Sequence, residues 1–309
     1  MIAKISRRDL LHAGCLTAGA LGVSKVAGPI RAFAENKFAG NIGNEEMAAP
    51  ADSADTPVEL FYRDDWLGAP WVKPDPVMFI HGNDESSISW FGWVPRMGQE
   101  FRLLRPDLPG LGRSAIPAGF EWSISSLATI LAHFLDSIGV ESAHIIGAKS
   151  GGSIAMQFAA DYPQRTRTLV VASAPITSVS SKVGFRAPSP SSQQKRLGSA
   201  ASKEQIEYWD KMMSSTKPET RLGIGKVEAS INLESILPRV VAPTLVITVD
   251  QSGMQSVETV LRYQQKIPNA RLLVLPSDGY HVAVVKADEC VTNVLAFIKE
   301  TQQGSRKTG

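Results

Sequence analysis

The feature that most constrains the fold is an alternation of short apolar runs with longer amphipathic segments between residues 58 and 300. Apolar runs of this length bounded by turn residues predict buried strands, and the amphipathic segments predict helices. Parallel strands need long crossover connections, which are usually helical. The sequence therefore predicts an α/β fold with a mostly parallel central sheet flanked by helices.

The alternation is interrupted once, over residues 175–240. This segment opens with a Ser/Pro-rich stretch and continues with amphipathic patterns. An insertion of this kind between two strands predicts a helical lid. We therefore expect the core to comprise residues 56–174 and 241–303.

Residues 1–34 have the three parts of an export signal. The pair Arg7-Arg8 precedes a weakly apolar run over residues 16–26 and a small-x-small site that ends at Ala34. This order resembles a twin-arginine (Tat) signal, so we expect a periplasmic or secreted protein cleaved near Ala34. The apolar run is too short to span a bilayer, so we expect no stable membrane insertion. Residues 35–55 are small and acidic, and they predict a flexible leader.

Charge and histidine spacing restrict the partners. The net charge is +2, and five of the basic residues lie in the first 34 positions, so the rest of the chain is slightly acidic. Without a basic patch, we expect no nucleic-acid partner. The histidines show no metal-ligand spacing, so we expect neither a metal nor another cofactor. None of these features determines the oligomeric state.

Four motifs follow one another along the predicted core. They are His81-Gly82 after a strand, DLPGLGRS over residues 107–114, IGAKSGGSIA over residues 146–155, and DGYH over residues 278–281. In this order they resemble the α/β-hydrolase superfamily over residues 58–300. The resemblance implies the α/β-hydrolase fold, an oxyanion-hole N–H at Asn83, and the catalytic histidine at His281.

The third motif is similar to the nucleophile elbow, where a strand ends in Gly-x-Ser-x-Gly-Gly before a helix. Two registers are open. With Gly147 and Gly151 as motif glycines, Lys149 occupies the nucleophile position and the Ser150 N–H becomes the second oxyanion donor. The other register makes Ser150 the nucleophile. We favour the first, because the tight turn needs glycines there.

The acid of the resemblance is ambiguous. The superfamily usually places an aspartate after the strand that follows the lid. Direct alignment puts Ser252 there, with Asp250 two residues earlier. Asp250 is the candidate partner of His281, and the alternative is that His281 has no carboxylate partner.

A lysine at the elbow changes the chemistry, because its attack on an ester would form a stable amide. Lys149 could instead stabilise an oxyanion while His281 activates water. The favoured function is a cofactor-free hydrolase that cleaves an ester, lactone or activated ketone (C–C bond) in a small apolar carbonyl substrate. The alternatives are a Schiff-base lyase or decarboxylase using Lys149, a serine hydrolase using Ser150, and a catalytically silent ligand-binding protein.

Several residues near these motifs or in the insertion are candidates for an apolar substrate pocket. They are His81, Trp90, Trp93, Trp209 and Met212. The alternative for the aromatic and methionine side chains is plain core packing.

Overall fold

The computed structural model of the chain describes residues 44–47, 59–178 and 190–307. The strands are β1 (Asn44–Met47), β2 (Phe61–Asp65), β3 (Pro76–Ile80), β4 (Arg102–Pro106), β5 (Ala143–Ala148), β6 (Thr166–Ala172), β7 (Thr244–Val249) and β8 (Ala270–Leu275). The helices are α1 (Val94–Met97), α2 (Ile124–Ser137), α3 (Ser150–Asp161), α4 (Pro190–Leu197), α5 (Lys203–Ser214), α6 (Pro218–Ser230), α7 (Val257–Gln264), α8 (Val282–Val285) and α9 (Ala287–Lys307). The predicted export signal lies outside the described residues.

The strands form one sheet in the order β1-β2-β4-β3-β5-β6-β7-β8. All neighbours from β4 to β8 pair in parallel, whereas β1 and β2 are antiparallel to their neighbours. The prediction of a mostly parallel sheet flanked by helices is therefore confirmed. One prediction is corrected: residues 44–47 of the supposed flexible leader form β1, which pairs with β2 at the edge of the sheet.

Two apolar clusters cover the two faces of the sheet. Successive side chains of a strand point to opposite faces, and β3 shows this alternation. Val77 and Phe79 pack in a cluster with α9, whereas Met78 and Ile80 pack in a second cluster with α2 and α3. The sheet is thus buried on both sides, as a parallel sheet requires.

The described part of the insertion, residues 175–178 and 190–240, contains the three α-helices α4, α5 and α6. Helix α5 begins with a capping box, in which the side chains of Ser202 and Gln205 each accept a hydrogen bond from the other residue's backbone N–H. The predicted helical content is confirmed over these three helices, and their role as a lid stays a prediction. Across the described ranges, no helix combines the length and apolar character needed to cross a membrane.

The strand order brings two loops together at the carboxyl edge of the sheet. Strand β3 lies between β4 and β5, so the loop that leaves β3 runs beside the loop that leaves β5. The register pairs Ile80 with Gly147. The His81-Gly82-Asn83 segment therefore lies against Lys149, at the crevice where open α/β sheets usually bind ligands.

Candidate active site

Lys149 lies at the turn between β5 and α3. Its φ is positive, at 54° with a ψ of −128°, which is a backbone conformation that L-residues rarely adopt. The turn is held by hydrogen bonds on both sides, from the Lys149 N–H to the Ala172 carbonyl (2.8 Å) and from the Gly152 N–H to the Lys149 carbonyl (2.9 Å). The structure therefore places Lys149 at the elbow and Ser150 in the first turn of α3.

The glycines around Lys149 are required by close packing. A Cβ on Gly147 would lie 2.3 Å from the Gly151 carbonyl oxygen, and a Cβ on Gly151 would lie 2.2 Å from the Ile80 oxygen. A Cβ on Gly152 would lie 2.6 Å from the Ala174 side chain. The elbow thus needs glycine at the positions that the first register assigns.

Ser150 and Asn83 contact each other across the site. The backbone N–H of Asn83 donates to the Ser150 Oγ at 2.8 Å, and Ser150 is buried. Within the described residues, no hydrogen bond joins Ser150 to His281. The N–H predicted to be an oxyanion donor is therefore engaged by a side chain of the protein itself.

His81 is a structural residue rather than part of a substrate pocket, so that prediction is wrong. The side chain is fully buried, and its Nε2 accepts the Leu108 N–H at 3.0 Å. Its Nδ1 then carries the proton and donates to the Gly82 carbonyl at 2.8 Å. Burial lowers the pKa of His81, against the smaller opposing effect of Asp107. A neutral His81 thus fixes the loop after β3 to the turn after β4.

His281 forms a buried cluster with two residues that the sequence analysis missed. Its Nε2 lies 3.0 Å from Oε1 of Glu85, and the same Glu85 oxygen pairs with the guanidinium of Arg196. The Gly82 N–H donates to the second Glu85 oxygen at 3.2 Å. The backbone N–H of His281 donates to the Arg196 carbonyl at 3.0 Å. Helix α4 of the insertion is therefore attached directly to the histidine.

These contacts assign the tautomer of His281. Glu85 accepts from Arg196, so its Oε1 acts as an acceptor and the Nε2 of His281 donates to it. The lone pair then lies on Nδ1, which is buried and has no hydrogen-bond partner among the described residues. Burial, and next the positive charges of Arg196 and Lys149, lower the pKa of His281 well below its ordinary value. The imidazole is therefore neutral at neutral pH.

Tyr280 joins the two cations of the site. The Nζ of Lys149 lies 5.1 Å from the centroid of the Tyr280 ring, within range of a cation–π contact. Burial raises the pKa of the Tyr280 phenol, but the charges of Lys149 and Arg196 and the hydrogen bond with Arg196 outweigh it, so the pKa is lowered overall. Burial also lowers the pKa of Arg196 to about 10, against the charges of Tyr280 and Asp84.

Asp250 does not contact His281, which corrects the prediction that it is the acid. Its Oδ1 accepts the Ser277 N–H at 2.9 Å, and the residue is exposed. Ser252, at the aligned acid position, instead accepts the backbone N–H groups of Met254 and Gln255. Both residues cap local turns, and Glu85 is the carboxylate that reaches His281.

Two of the predicted pocket residues lie in the core instead. Trp90 and Trp93 are buried against Phe79, with ring centroids 4.8 Å and 5.8 Å from it. The indole N–H of Trp93 donates to the Ala283 carbonyl at 2.7 Å. Their prediction as pocket residues is therefore wrong, because the loop after β3 turns these side chains under the sheet.

The other two candidates do line cavities. Trp209 lies on the wall of a cavity of about 670 Å3, and its ring centroid is 5.5 Å from that of His281. Met212 lines a smaller cavity of about 120 Å3 that also borders Glu85. The part of the chain that the structure describes contains no cluster of three or more potential metal ligands.

Glu85, Tyr280 and Arg196 were not predicted from the sequence, and they differ in how close they lie to a recognisable motif. Glu85 follows Gly82 by three positions in the His-Gly motif, and Tyr280 directly precedes His281, so proximity to a motif was an available signal. Arg196 lies in the insertion, far from every motif, and has no such signal. Its role depends on how α4 packs.

Comparisons with known proteins support the fold. Residues 75–224 match a family described as alpha/beta hydrolase fold. The 2-hydroxy-6-oxo-2,4-heptadienoate hydrolase of Pseudomonas putida is 29% identical over 100 residues, which are 31% of this chain and 36% of that protein. The dihydrolipoyllysine-residue acetyltransferase component of an acetoin cleaving system from Cupriavidus necator is 31% identical over 136 residues, 44% of this chain and 35% of that protein. The chain thus spans about a third of the length of each.

Similarity in structure extends further along the chain. The enol-lactonase of Burkholderia xenovorans LB400 superposes with a TM-score of 0.69, covering 78% of this chain and 97% of that one at 19% identity. At this identity the likeness concerns the fold alone. The chain is therefore an α/β-hydrolase-fold protein, with the family's sequence pattern over residues 75–224.

Proposed function

We propose that this chain is a cofactor-free hydrolase that cleaves an ester, a lactone or an activated ketone in an apolar carbonyl substrate, with water as the nucleophile. The observation that carries the proposal is the neutral, buried His281, whose Nε2 is held by Glu85 close to the elbow residue Lys149. A carboxylate that fixes one ring nitrogen leaves the other available for proton transfer, which is the arrangement a general base needs.

The proposed reaction uses His281 as base and then as acid. The Nδ1 of His281 takes a proton from water as the water oxygen bonds to the carbonyl carbon. The carbonyl π electrons move onto oxygen, where Lys149 stabilises the negative charge. When the tetrahedral intermediate collapses, the bond to the leaving oxygen or carbon breaks. The imidazolium returns its proton to that atom, so the base is regenerated.

An electrostatic role for Lys149 is supported by its surroundings. The residue precedes the first turn of α3, where backbone N–H groups already favour negative charge. The Tyr280 ring lies beside its ammonium group. Since the Asn83 N–H donates to Ser150, that N–H reaches an oxyanion only if the Ser150 hydroxyl rotates away. Lys149 can supply the positive charge without this change.

Comparisons support the reaction class but leave the substrate to the proposal. The Pseudomonas putida relative is named as a hydrolase of an oxo acid, and the superposed Burkholderia xenovorans protein as an enol-lactonase. Both names are consistent with hydrolysis at a carbonyl compound. The partial coverage of the curated relatives means that this chain's own substrate must be found by experiment.

The proposed function also includes export of the chain and a lid over the site. We infer that the chain is a Tat substrate, found in the periplasm or outside the cell, and that α4–α6 cover the site. The signal is tested by changing Arg7 and Arg8 to lysine and fractionating the cells. Retention of the double variant in the cytoplasm is expected, and unchanged export would overturn the inference.

The reaction is tested by turnover and intact mass on a panel of esters, lactones and β-diketones, with and without borohydride. Lys149→Met and His281→Asn are expected to lose at least about a hundredfold in kcat/KM, in line with the loss of an oxyanion stabiliser or a general base. Lys226→Met is the matched control, because Lys226 is an exposed lysine on α6. It is expected to be unchanged.

The alternatives give different results in the same experiment. A borohydride-dependent adduct on Lys149 would replace the proposal with Schiff-base chemistry. An acyl adduct lost in Ser150→Ala would replace it with a serine hydrolase. Turnover that survives His281→Asn would also overturn the proposed mechanism. If no compound is turned over, the hydrolase proposal is overturned in favour of a ligand-binding protein.

A further inference from the structure

An apolar cleft opens beside the catalytic cluster, and neither the motifs nor the proposed mechanism accounts for it. It has a volume of about 670 Å3 and lies between α5, α8 and the segment after β3. Pockets of roughly 300–1,000 Å3 can enclose most of a drug-sized ligand. The residues that form its apolar wall are Ile88, Phe91, Leu197, Tyr208, Trp209 and Val285.

Three of the nine large apolar side chains that are exposed among the described residues line this one cleft. Ile88, Phe91 and Tyr208 are 39%, 57% and 45% exposed, and all three line it. Large apolar side chains that converge on one concave surface usually mark a binding site, whereas isolated ones need no explanation. The three residues come from two separate chain segments, so their convergence is a property of the tertiary structure.

Charge selects the kind of ligand. Among the described residues that line the cleft there is no lysine, arginine or histidine, and the charged member is the exposed carboxylate of Glu204. An anionic group in the cleft would meet no basic residue of the lining and would be repelled by Glu204. The cleft therefore suits an uncharged hydrocarbon chain.

Trp209 belongs both to the wall of the cleft and to the surroundings of His281. Trp209 lines the cleft, is almost fully buried, and lies 5.5 Å from His281 between ring centroids. The Cζ of Arg196 lies 5.2 Å from the centroid of the Trp209 ring. In addition, Val284 and Val285 line the cleft while their N–H groups donate to the His281 carbonyl. A chain in the cleft therefore ends close to the proposed general base.

We propose that this cleft binds the uncharged hydrocarbon chain of the substrate, with its carbonyl end directed past Trp209 towards His281. The inference deepens the proposed function, because it names the substrate class as carbonyl compounds that carry a neutral apolar chain. Binding of the chain in the cleft is expected whether or not the compound is turned over.

Binding is tested with Nile red, an uncharged dye whose emission rises in apolar surroundings, on the full-length protein and its variants. Ala201→Trp places a large side chain in the cleft lining, and Phe91→Ala removes an exposed part of the wall. Leu222→Trp is the matched control, because Leu222 is 72% exposed and lies outside the lining. Circular dichroism tests whether each variant is folded. If Ala201→Trp does not fold, Phe91→Ala still tests the cleft.

Nile red is expected to bind. In competition with the dye, the dissociation constant of dodecanol should be at least about tenfold lower than that of dodecanoate, a difference in binding free energy of about 1.4 kcal/mol. Ala201→Trp and Phe91→Ala should weaken dye binding, and Leu222→Trp should not. Equal binding by the two cleft variants and the wild type, or equal displacement by dodecanol and dodecanoate, would overturn the proposal.

Kinetic measurements distinguish failure of the cleft proposal from failure of the proposed function. For acetate, octanoate and dodecanoate esters of one alcohol, kcat/KM should rise with chain length in the wild type and much less in Ala201→Trp. A dye-binding cleft in a protein that turns over no ester would contradict the proposed function alone. Turnover with no dependence on chain length in the wild type would contradict the cleft alone.

Discussion

Nε2 of His281 lies 3.0 Å from Oε1 of Glu85, and both side chains are almost fully buried. The carboxylate reaches the histidine from the loop after β3, not from the strand after the insertion, where the superfamily resemblance implies it. Arg196 pairs with the same oxygen from α4. The histidine, the His-Gly loop and the insertion are thus joined by one polar cluster.

Glu85→Gln should lower the free energy of unfolding strongly. The change removes the counter-charge of Arg196 and leaves that guanidinium buried, which costs roughly 3–5 kcal/mol when one partner of a buried pair is lost. Asp250→Asn is the control, because Asp250 is exposed and caps a local turn. Urea unfolding of both variants measures the difference. Equal effects would mean that Glu85 does not hold the cluster together.

The Glu85–Arg196 pair should show coupling in a double-mutant cycle. Arg196→Met removes the charge that Glu85→Gln leaves without a partner, so the double variant should be more stable than Glu85→Gln alone. Residues in contact typically show interaction free energies of about 0.5–3 kcal/mol. The four proteins are compared by urea unfolding at one pH. Strict additivity would contradict a direct interaction in solution.

Stability should fall between neutral and mildly acidic pH. Burial is the main cause that lowers the pKa of His81, His281 and His144, and the pKa of His144 is lowered to about 4. Histidines of the unfolded chain titrate near 6.5. The unfolded state therefore binds more protons below that pH, and stability is lost as the pH falls from about 6.5 towards 4.

Each histidine should contribute up to about 1.4 kcal/mol per pH unit to the slope of the free energy of unfolding against pH in this window. The measurement is urea unfolding at several pH values from roughly 7.5 to roughly 5. His144→Gln should reduce the slope, because it removes one of the three groups. A free energy of unfolding that is constant over this range would show that these histidines take up protons in the folded state.

At position 149, the strained backbone should make a glycine variant more stable than an alanine variant, which is the reverse of their order inside a helix. Glycine adopts a φ of 54° without the penalty that an L side chain incurs. Lys149→Gly should therefore be more stable than Lys149→Ala by about 1 kcal/mol. At Lys226, within α6, the order should reverse by about the same amount, because glycine is unfavourable inside helices. The same order at both sites would rule out strain at the elbow.

Two helical glycines should respond oppositely to alanine. The Cβ of Gly151→Ala would lie 2.2 Å from the Ile80 carbonyl oxygen, so α3 would have to move away from β3. A Cβ at Gly225 meets nothing within 4 Å. Gly225→Ala should stabilise the protein by about 1 kcal/mol, and Gly151→Ala should destabilise it by more than that. Thermal unfolding of both variants provides the measurement.

Local patterns in the sequence were sufficient to predict one part of the structure. The strand and helix alternation predicted the parallel sheet, and the glycines around Lys149 predicted which residue stands at the elbow. Ser123 caps the start of α2 and Gly139 follows its end with a positive φ, and both features depend only on adjacent residues. Such features need no knowledge of distant contacts.

The contacts between distant side chains could be read only from the folded chain. Glu85 and His281 are 196 residues apart in the chain, and Arg196 reaches them from an insertion with no motif. Asp250 stood close to the expected acid position, but its side chain turns to cap Ser277. Trp90 and Trp209 have the same residue type, yet one packs under the sheet and the other beside His281. Their environments depend on how whole elements pack, because contacts between distant segments carry no local pattern.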